Sequence, residues 1–288
     1  MIIISGASGQ LGHAIVSQLL LRHTATEIGV SVRDPDKVPD LAAQGVRVRQ
    51  GDFSNPASLR HAFEGASQVL IVSSNARASG GDPVEQHRTA IDAAKQAGAR
   101  RILYTSHMAA SPASAFGPAR DHAAAEELLR ASGVPFTILR NGFYAAHAVG
   151  MMANAVKQGK MTAPSDGKMA WTGHADLAEA AAIILADESR FDGPTPPLTG
   201  ATALDLADLT VIASDLTGLN IERVEVSDDA FLAGFIARGA PESVGRMALG
   251  MFEASRNGEF ATTDSTLAQL LGRPPLAMRD LMAAAFSR

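Results

Sequence analysis

Short apolar runs alternate along the chain with stretches whose apolar residues return every three or four positions. Residues 2–4 are three isoleucines, too short for a helix and suited to a strand. In 10–22, Leu11, Ile15 and Leu19 fall at helical spacing. The alternation continues with strand at 27–32, a short helix over 37–44 closed by Gly45, and strand at 46–49. Residues 57–64 read as helix, between Pro56 and Gly65. Residues 69–72 are apolar and mostly β-branched, the pattern of a strand buried on both faces. A helix over 84–97 stops at Gly98, strand follows at 102–105, a helix over 120–131 stops at Gly133, and 136–139 is a sixth strand. Strands alternating with helices predict a parallel sheet covered on both faces, a doubly wound α/β fold.

Beyond residue 140 the rhythm weakens. Helices are expected over 151–158, 177–186, 204–216, 229–237, 242–254 and 265–271, with strands at 198–199 and 223–226. Pro194-Thr195-Pro196-Pro197 reads as a breaker. The expected organisation is a domain over 1–140 and a smaller, helix-rich lobe over 141–288. Residues 166–187 are expected to pack back on the sheet.

The 288 residues suffice for about two domains at ~150 residues each. There is no cysteine, which removes disulfides, thiolate catalysis and Cys-based metal sites. The net charge is −5, and no basic run is long enough to track a phosphate backbone, so nucleic acid is a poor partner. No apolar run approaches the ~20 residues of a membrane span. The start lacks a basic region before its isoleucines and does not read as a signal peptide, so a cytoplasmic protein is expected. The histidines show no H-E-x-x-H spacing or acidic cluster, and no metal is expected.

Gly6-Ala7-Ser8-Gly9-Gln10-Leu11-Gly12 lies between the first strand and the first helix. A G-x-x-G-x-x-G turn in that place has a physical reading. Gly6 allows the tight bend, Gly9 lets backbone approach a pyrophosphate on the helix N-terminus, and Gly12 lets the helix close on the strand. The second strand ends at Val32-Arg33-Asp34, where an adenosine ribose would lie. Arg33, helped by Lys37, suits the 2′-phosphate of NADP; Asp34 would suit the free hydroxyl of NAD, but Asp34-Pro35-Asp36 also reads as a turn and cap. Asp52 could accept from an adenine amino group, with Phe53 beside the ring, and equally could cap a turn. Ser73 and Ser74 close the fourth strand at the edge where open α/β sheets bind ligands.

These segments, with Tyr104-Thr105-Ser106 and Leu139-Arg140-Asn141-Gly142-Phe143-Tyr144, occur in an order that resembles the NmrA-like, atypical branch of the short-chain dehydrogenase/reductases. Within it the chain is similar to bacterial NADPH:quinone oxidoreductases of type 2 and to triphenylmethane reductase. The likeness runs nearly end to end, through Asp166-Gly167-Lys168, Asp176-Leu177-Ala178 and Asp264-Ser265-Thr266-Leu267. It implies a Rossmann-type domain binding NADPH and a small lobe closing over the nicotinamide. It implies cofactor contacts at Gly6, Ser8, Gly9, Gln10, Leu11, Arg33, Ser73 and Ser74, with further ones from Thr137 through Asn141 and Gly142, and from Lys168.

Ordinary short-chain dehydrogenases use a Tyr-x-x-x-Lys pair, in which Lys lowers the Tyr pKa and Tyr delivers a proton. Neither Tyr104 nor Tyr144 has a Lys four residues on. His122 stands where the lysine belongs. His122 and Glu126 are one turn apart, either a proton donor with its orienter or an ordinary helix pair. Asn141 and Tyr144 are the other candidates for orienting a substrate, or for a turn and a wall. Two function classes follow from the resemblance. One is an NADPH-dependent reductase of quinones or similar conjugated acceptors, acting as monomer or homodimer. The other is a non-catalytic NADP(H) sensor that regulates a protein partner.

Overall fold

The computed structural model describes residues 1–287. β1 (Ile2–Ser5) runs through the glycine turn into α1 (Gln10–Leu19), followed by β2 (Ile28–Val32), α2 (Pro39–Ala43), β3 (Arg47–Gln50) and α3 (Pro56–Phe63). The chain then crosses to the other side of β1 for β4 (Gln68–Ile71), α4 (Pro83–Gln96), β5 (Arg101–His107), α5 (Gly117–Ala131) and β6 (Phe136–Asn141). Next come β7 (Phe143–Tyr144), α6 (Ala145–Gln158), β8 (Lys160–Ala163), β9 (Trp171–Thr172), α7 (His174–Ala186) and β10 (Gly193–Pro194). The chain continues through α8 (Leu206–Thr217), β11 (Glu222–Glu225), α9 (Asp228–Ala237), α10 (Glu242–Arg256), α11 (Thr266–Leu271) and α12 (Met278–Phe286).

The main sheet has seven strands in the order β10-β6-β5-β4-β1-β2-β3. β1 pairs in parallel with β2 and β4, β2 with β3, β4 with β5, and β6 with β10. This is the doubly wound, Rossmann-like arrangement that the sequence pattern predicts. The strand order reverses between β1 and β4, so a crevice opens at their carboxyl ends.

One compact unit comprises Met1–Pro112, Asp121–Arg140 and His174–Pro196. Its sheet is buried because both faces of the central strands carry apolar side chains. Ile3, Val69, Ile71 and Ile102 pack with Leu59, Phe63 and Ile91 from the helices. Burying Phe63 fully is by itself worth roughly 1.5–3 kcal/mol. α7 packs along α1. Its Leu177, Ala178, Ala181, Ala182 and Leu185 are buried, and the alanines let the two helices come close. The returning segment starts at His174, not at residue 166, because Trp171 and Thr172 pair with β7 outside this unit.

Of the expected breaker at 194–197, the first residue is part of the sheet instead. Pro194 sits in β10, an edge strand, where a residue without an N–H breaks no ladder. Thr195 N–H then donates to the Ile138 carbonyl at 2.8 Å. The strand expected at 198–199 reduces to an isolated bridge between Leu198 and Asn141.

The other unit comprises Ala113–Arg120, Asn141–Gly173 and the described residues from Pro197 onward. It holds two short parallel ladders, β7 with β9 and β8 with β11. Phe116, Phe143, Trp171 and Phe260 form an aromatic cluster, with ring centroids 5.1–5.8 Å apart. β8 and α12 have no counterpart in the pattern reading. β8 alternates exposed and buried positions over only four residues, and α12 follows Pro274-Pro275 with its apolar side chains spread among alanines. Among the described residues, no helix is long and apolar enough to cross a membrane.

Candidate functional site

The crevice at the topological switch is built by the turn after β1 and the end of β4. Ser5 Oγ accepts the Val72 N–H at 3.0 Å, tying the two strand ends together. Gly6 has φ +65°, in the left-handed region that glycine enters without strain. Gly9 N–H closes the turn on the Gly6 carbonyl at 3.0 Å. A Cβ on Gly12 would lie 2.5 Å from that carbonyl oxygen, so only glycine lets α1 come this close. A Cβ on Gly9 would meet nothing nearer than 3.4 Å. Packing inside the protein therefore does not require a glycine at this position.

α1 begins at Gly9 with no side-chain cap and no acidic residue in its first turn. Its leading amides and the positive end of its dipole are therefore open to an anion. α4 differs: Asp82 accepts from the N–H groups of Val84 and Glu85. Ser8, Gly9 and Gln10 are exposed at the open end of α1, and Leu11 is buried behind them. This cradle fits a pyrophosphate.

Arg33 follows β2 directly and is exposed; among the described residues its guanidinium has no partner. Asp34 Oδ1 accepts the Asp36 N–H at 3.2 Å and caps the single turn Pro35–Lys37. The acidic competitor is thus engaged locally, while Arg33 and Lys37 leave positive charge in reach of a phosphate. Asp52 Oδ1 accepts the Ser54 N–H at 2.8 Å, and the Asp52 N–H is paired with Ser58 Oγ at 3.0 Å. The turn role is therefore real and fixes the carboxylate at the end of β3. Phe53 packs in part against the core cluster of the sheet.

Ser73 and Ser74 are held by Thr105, His87 and Gln86, of which only Thr105 belongs to a motif named above. Ser73 N–H donates to Thr105 Oγ1 at 2.9 Å, on β5. Ser74 N–H donates to His87 Nε2 at 2.9 Å, and Ser74 Oγ to Gln86 Oε1, both on α4. The signal was present: His87 lies on the apolar face of α4 with Ala90, Ile91 and Ala94.

Behind this loop, Tyr104 on β5 is fully buried, its hydroxyl 2.8 Å from His122 Nδ1. The His107 ring stacks on His122 at 6.0 Å between centroids, and the edge of His87 meets Tyr104 at 5.1 Å. Burial pushes His122 down to about 4, and His87 and His107 to about 3. All three are neutral imidazoles at pH 7.

The expected pairing of His122 with Glu126 does not form. Glu126 is buried and accepts from Arg140 Nε and Nη2 at 3.1 and 2.7 Å, from Arg130 at 2.9 Å and from Ser106 Oγ at 2.7 Å. A buried carboxylate needs a cation, and β6 supplies Arg140 where a neutral imidazole would not serve. Burial raises the Glu126 pKa, but these partners outweigh it and hold it below the usual carboxylate value.

Asn141, the last residue of β6, is buried and its side chain is hydrogen-bonded to the Tyr144 hydroxyl. Burial raises the Tyr144 pKa and the Asn141 bond opposes this, leaving a neutral phenol. The three other resemblance-derived positions are committed elsewhere. A Cβ on Gly142 would lie 2.2 Å from Thr172 Oγ1, so space inside its own unit accounts for the glycine. Thr137 is fully buried near the start of β6. Its hydroxyl accepts from Arg101 Nε at 3.0 Å and donates to the Phe191 carbonyl at 2.9 Å, away from the strand's carboxyl end. Lys168 Nζ is paired with Asp205 and Asp208 at the N-terminus of α8. Among the described residues, no group of three His, Asp or Glu could hold a metal ion.

A parallel sheet with a glycine turn and an uncapped helix at its switch point defines a dinucleotide-binding protein of the doubly wound class. Residues 6–188 match the family described as NAD(P)H-binding. Over 288 residues the chain is 33% identical to quinone oxidoreductase 2 of Escherichia coli, covering 100% of this chain and 99% of that one. A crystal structure of an NADPH-dependent quinone oxidoreductase from Escherichia coli, complexed with NADPH, superposes with a TM-score of 0.92. Its sequence identity is 33%, covering 99% of this chain and 100% of that one. Triphenylmethane reductase from Citrobacter sp., complexed with NADP(H), gives a TM-score of 0.88 at 28% identity, over 99% and 100%. The chain belongs to the NAD(P)H-binding, NmrA-like family.

Proposed function

We propose that this NAD(P)H-dependent oxidoreductase passes hydride from NADPH to quinones or comparably electron-poor, conjugated acceptors. The observation that carries the reading is the state of His122. It stands where other short-chain dehydrogenases carry a lysine, yet it is a buried, neutral imidazole bonded to a core tyrosine. It can neither lower a tyrosine pKa as a cation nor act as a charged acid at neutral pH. A ketone needs such an acid, because its developing alkoxide takes a proton in the transition state. A quinone does not: the arriving charge spreads over the ring, and water protonates the hydroquinone anion afterwards.

When bound, the dinucleotide supplies hydride. The remaining tasks fall to the chain. The open N-terminus of α1 and the turn from Gly6 to Gly12 hold the pyrophosphate. Arg33, with Lys37, pairs with the 2′-phosphate, and Asp52 accepts from the adenine amino group. Ser73 and Ser74 line the dinucleotide's path at the strand ends. Asn141 and Tyr144, bonded to each other, orient the acceptor oxygen as neutral groups. Rate then comes mainly from holding the acceptor at a near-attack distance of ~3–3.5 Å. The sensor alternative is set aside because the full-length relatives above carry the names of an oxidoreductase and a reductase.

The test is NADPH consumption with a panel of quinones and simple ketones, between about pH 6 and about pH 8. Expected are turnover of quinones, little of ketones, a nearly flat pH profile and a partial loss in His122→Ala. A ketone-specific activity overturns the reading. A His122→Ala variant that still binds NADPH but has no turnover makes His122 the acid instead.

A further inference from the structure

A chain of hydrogen bonds crosses the carboxyl edge of the sheet from the β3–α3 loop to the β4–α4 loop. It starts at Asp52 Oδ1, which accepts the Ser54 N–H at 2.8 Å. Ser54 Oγ accepts from Gln86 Nε2 at 3.1 Å, and Gln86 Oε1 accepts from Ser74 Oγ. Ser74 Oγ in turn accepts the Ala76 N–H at 3.0 Å, and Ser74 N–H donates to His87 Nε2 at 2.9 Å. All these residues belong to one compact unit. Two neighbours on α4, Gln86 and His87, thus grip the same serine by its hydroxyl and by its amide.

We propose that His87 and Gln86 are positioning residues for the dinucleotide. His87 sets the course of the Ser73-Ser74 backbone, and Gln86 locks that loop to the Asp52 turn, so that the two halves of the cofactor path hold one spacing. This rests on the reading that Ser73, Ser74 and Asp52 line that path.

His87 is 1% exposed, and its Nδ1 is buried with no hydrogen-bond partner among the described residues. Because Nε2 accepts from an amide, the proton resides on Nδ1, the nitrogen left unsatisfied. A buried polar atom without a partner destabilises a fold. Leucine would fill the space without that penalty. What only the imidazole supplies here is an acceptor aimed at the Ser74 amide. Burial keeps the ring neutral, with a pKa of about 3, so the acceptor persists at every working pH. Gln86 has the complementary property of donating and accepting at once. Its amide accepts a hydrogen bond from Ser74 Oγ and donates one to Ser54 Oγ without carrying charge toward a phosphate-bearing ligand.

The experiment compares His87→Leu, His87→Gln and Gln86→Leu with wild type in the full chain. Binding of NADPH and of 2′,5′-ADP, which reaches only the adenosine side, is titrated by fluorescence or calorimetry. Amide exchange of the peptide spanning 72–79 is followed in the free protein. A lost amide contact to a neutral acceptor corresponds to about a tenfold change in affinity. His87→Leu is expected to weaken NADPH by about tenfold and 2′,5′-ADP by less than about twofold, and to speed exchange at Ser74. His87→Gln, whose Oε1 reaches the place of Nε2, is expected to restore both. Gln86→Leu is expected to weaken NADPH while leaving Ser74 N–H protected. If His87→Leu binds NADPH like wild type, the proposal falls and the site reading stands. Equal losses for both probes in His87→Leu and His87→Gln show a packing role and also overturn it. A wild type that binds NADPH but not 2′,5′-ADP removes the underlying placement, and this proposal with it.

Discussion

Glu126 holds Arg140 by two bonds, at 3.1 Å to Nε and 2.7 Å to Nη2, and Arg140 is joined through its own peptide bond to Asn141. The end of β6 is therefore anchored by a carboxylate on α5 immediately before the residue proposed to meet the acceptor. Glu126→Ala leaves Arg140 and Ser106 without their partner. A loss of roughly 3 kcal/mol is expected, at the low end for a broken buried ion pair because Arg140 is partly solvated. Urea unfolding at neutral pH measures it. The Glu126 pKa is depressed in the folded state, so its contribution is present above the unfolded value of 4.5 and fades as pH falls through the lower folded value.

The buried histidines set a second pH dependence, at higher pH. His87 falls from 6.5 unfolded to about 3 folded. The unfolded chain therefore takes up a proton that the native state refuses. Stability is complete above pH 6.5 and declines below it, by up to about 1.4 kcal/mol per pH unit for His87. His107 and His122 act with the same sign. Unfolding curves at pH 7.5 and 5.5 give the slope, and His87→Gln is expected to flatten it. A wild type equally stable at both values contradicts the neutral cluster.

Part of this site is legible in the sequence because its cause is local. The glycine turn demands glycine for backbone reasons within seven residues, and Arg33 follows a strand end that periodicity alone locates. The Tyr104–His122 and Glu126–Arg140 contacts are different. Each joins elements whose register depends on the whole sheet, so one-turn spacing on a helix paired His122 with the wrong partner. The contacts of Lys168 and Thr137 were illegible for the same reason, since their neighbours Asp208 and Phe191 lie far along the chain. Pro194 misled in the opposite way: only knowing that β10 is an edge strand makes a proline there harmless.

Arg33 is expected to decide between the two nicotinamide dinucleotides. Wild type should bind NADPH more tightly than NADH. Arg33→Ala should weaken NADPH by roughly 1.5–3 kcal/mol and leave NADH nearly unchanged. Calorimetric titration of both cofactors checks this, and a variant that keeps its preference refutes the assignment.

Gly9 and Gly12 should separate binding from folding. Gly9→Val has room inside the protein but projects where the pyrophosphate must come, so a folded variant that does not bind NADPH is expected. Gly12→Ala forces its Cβ against the Gly6 carbonyl, and a loss of about 1–3 kcal/mol in stability is expected. Circular dichroism and thermal melts distinguish the two. The reverse assignment would mean that the turn is read wrongly.

Lys168→Ala should leave NADPH affinity within about twofold of wild type, because its ammonium is already neutralised by Asp205 and Asp208. A large loss would show that the lysine leaves those carboxylates when the cofactor arrives.

The helix that covers α1 is made late. α7 and the edge strand β10 reach the ribosome exit only after β7, α6, β8 and β9 have been synthesised. Until then the side of α1 that packs along α7 has no helix against it, although its own strand and its neighbours are complete. A nascent chain therefore carries that uncovered helix side through a long stretch of translation, an exposure that invites chaperone binding or self-association. Cutting the gene after residue 140 would make that exposure permanent. Contacts so distant along the chain also raise the contact order of the sheet's last step, and slow closure is its kinetic mark.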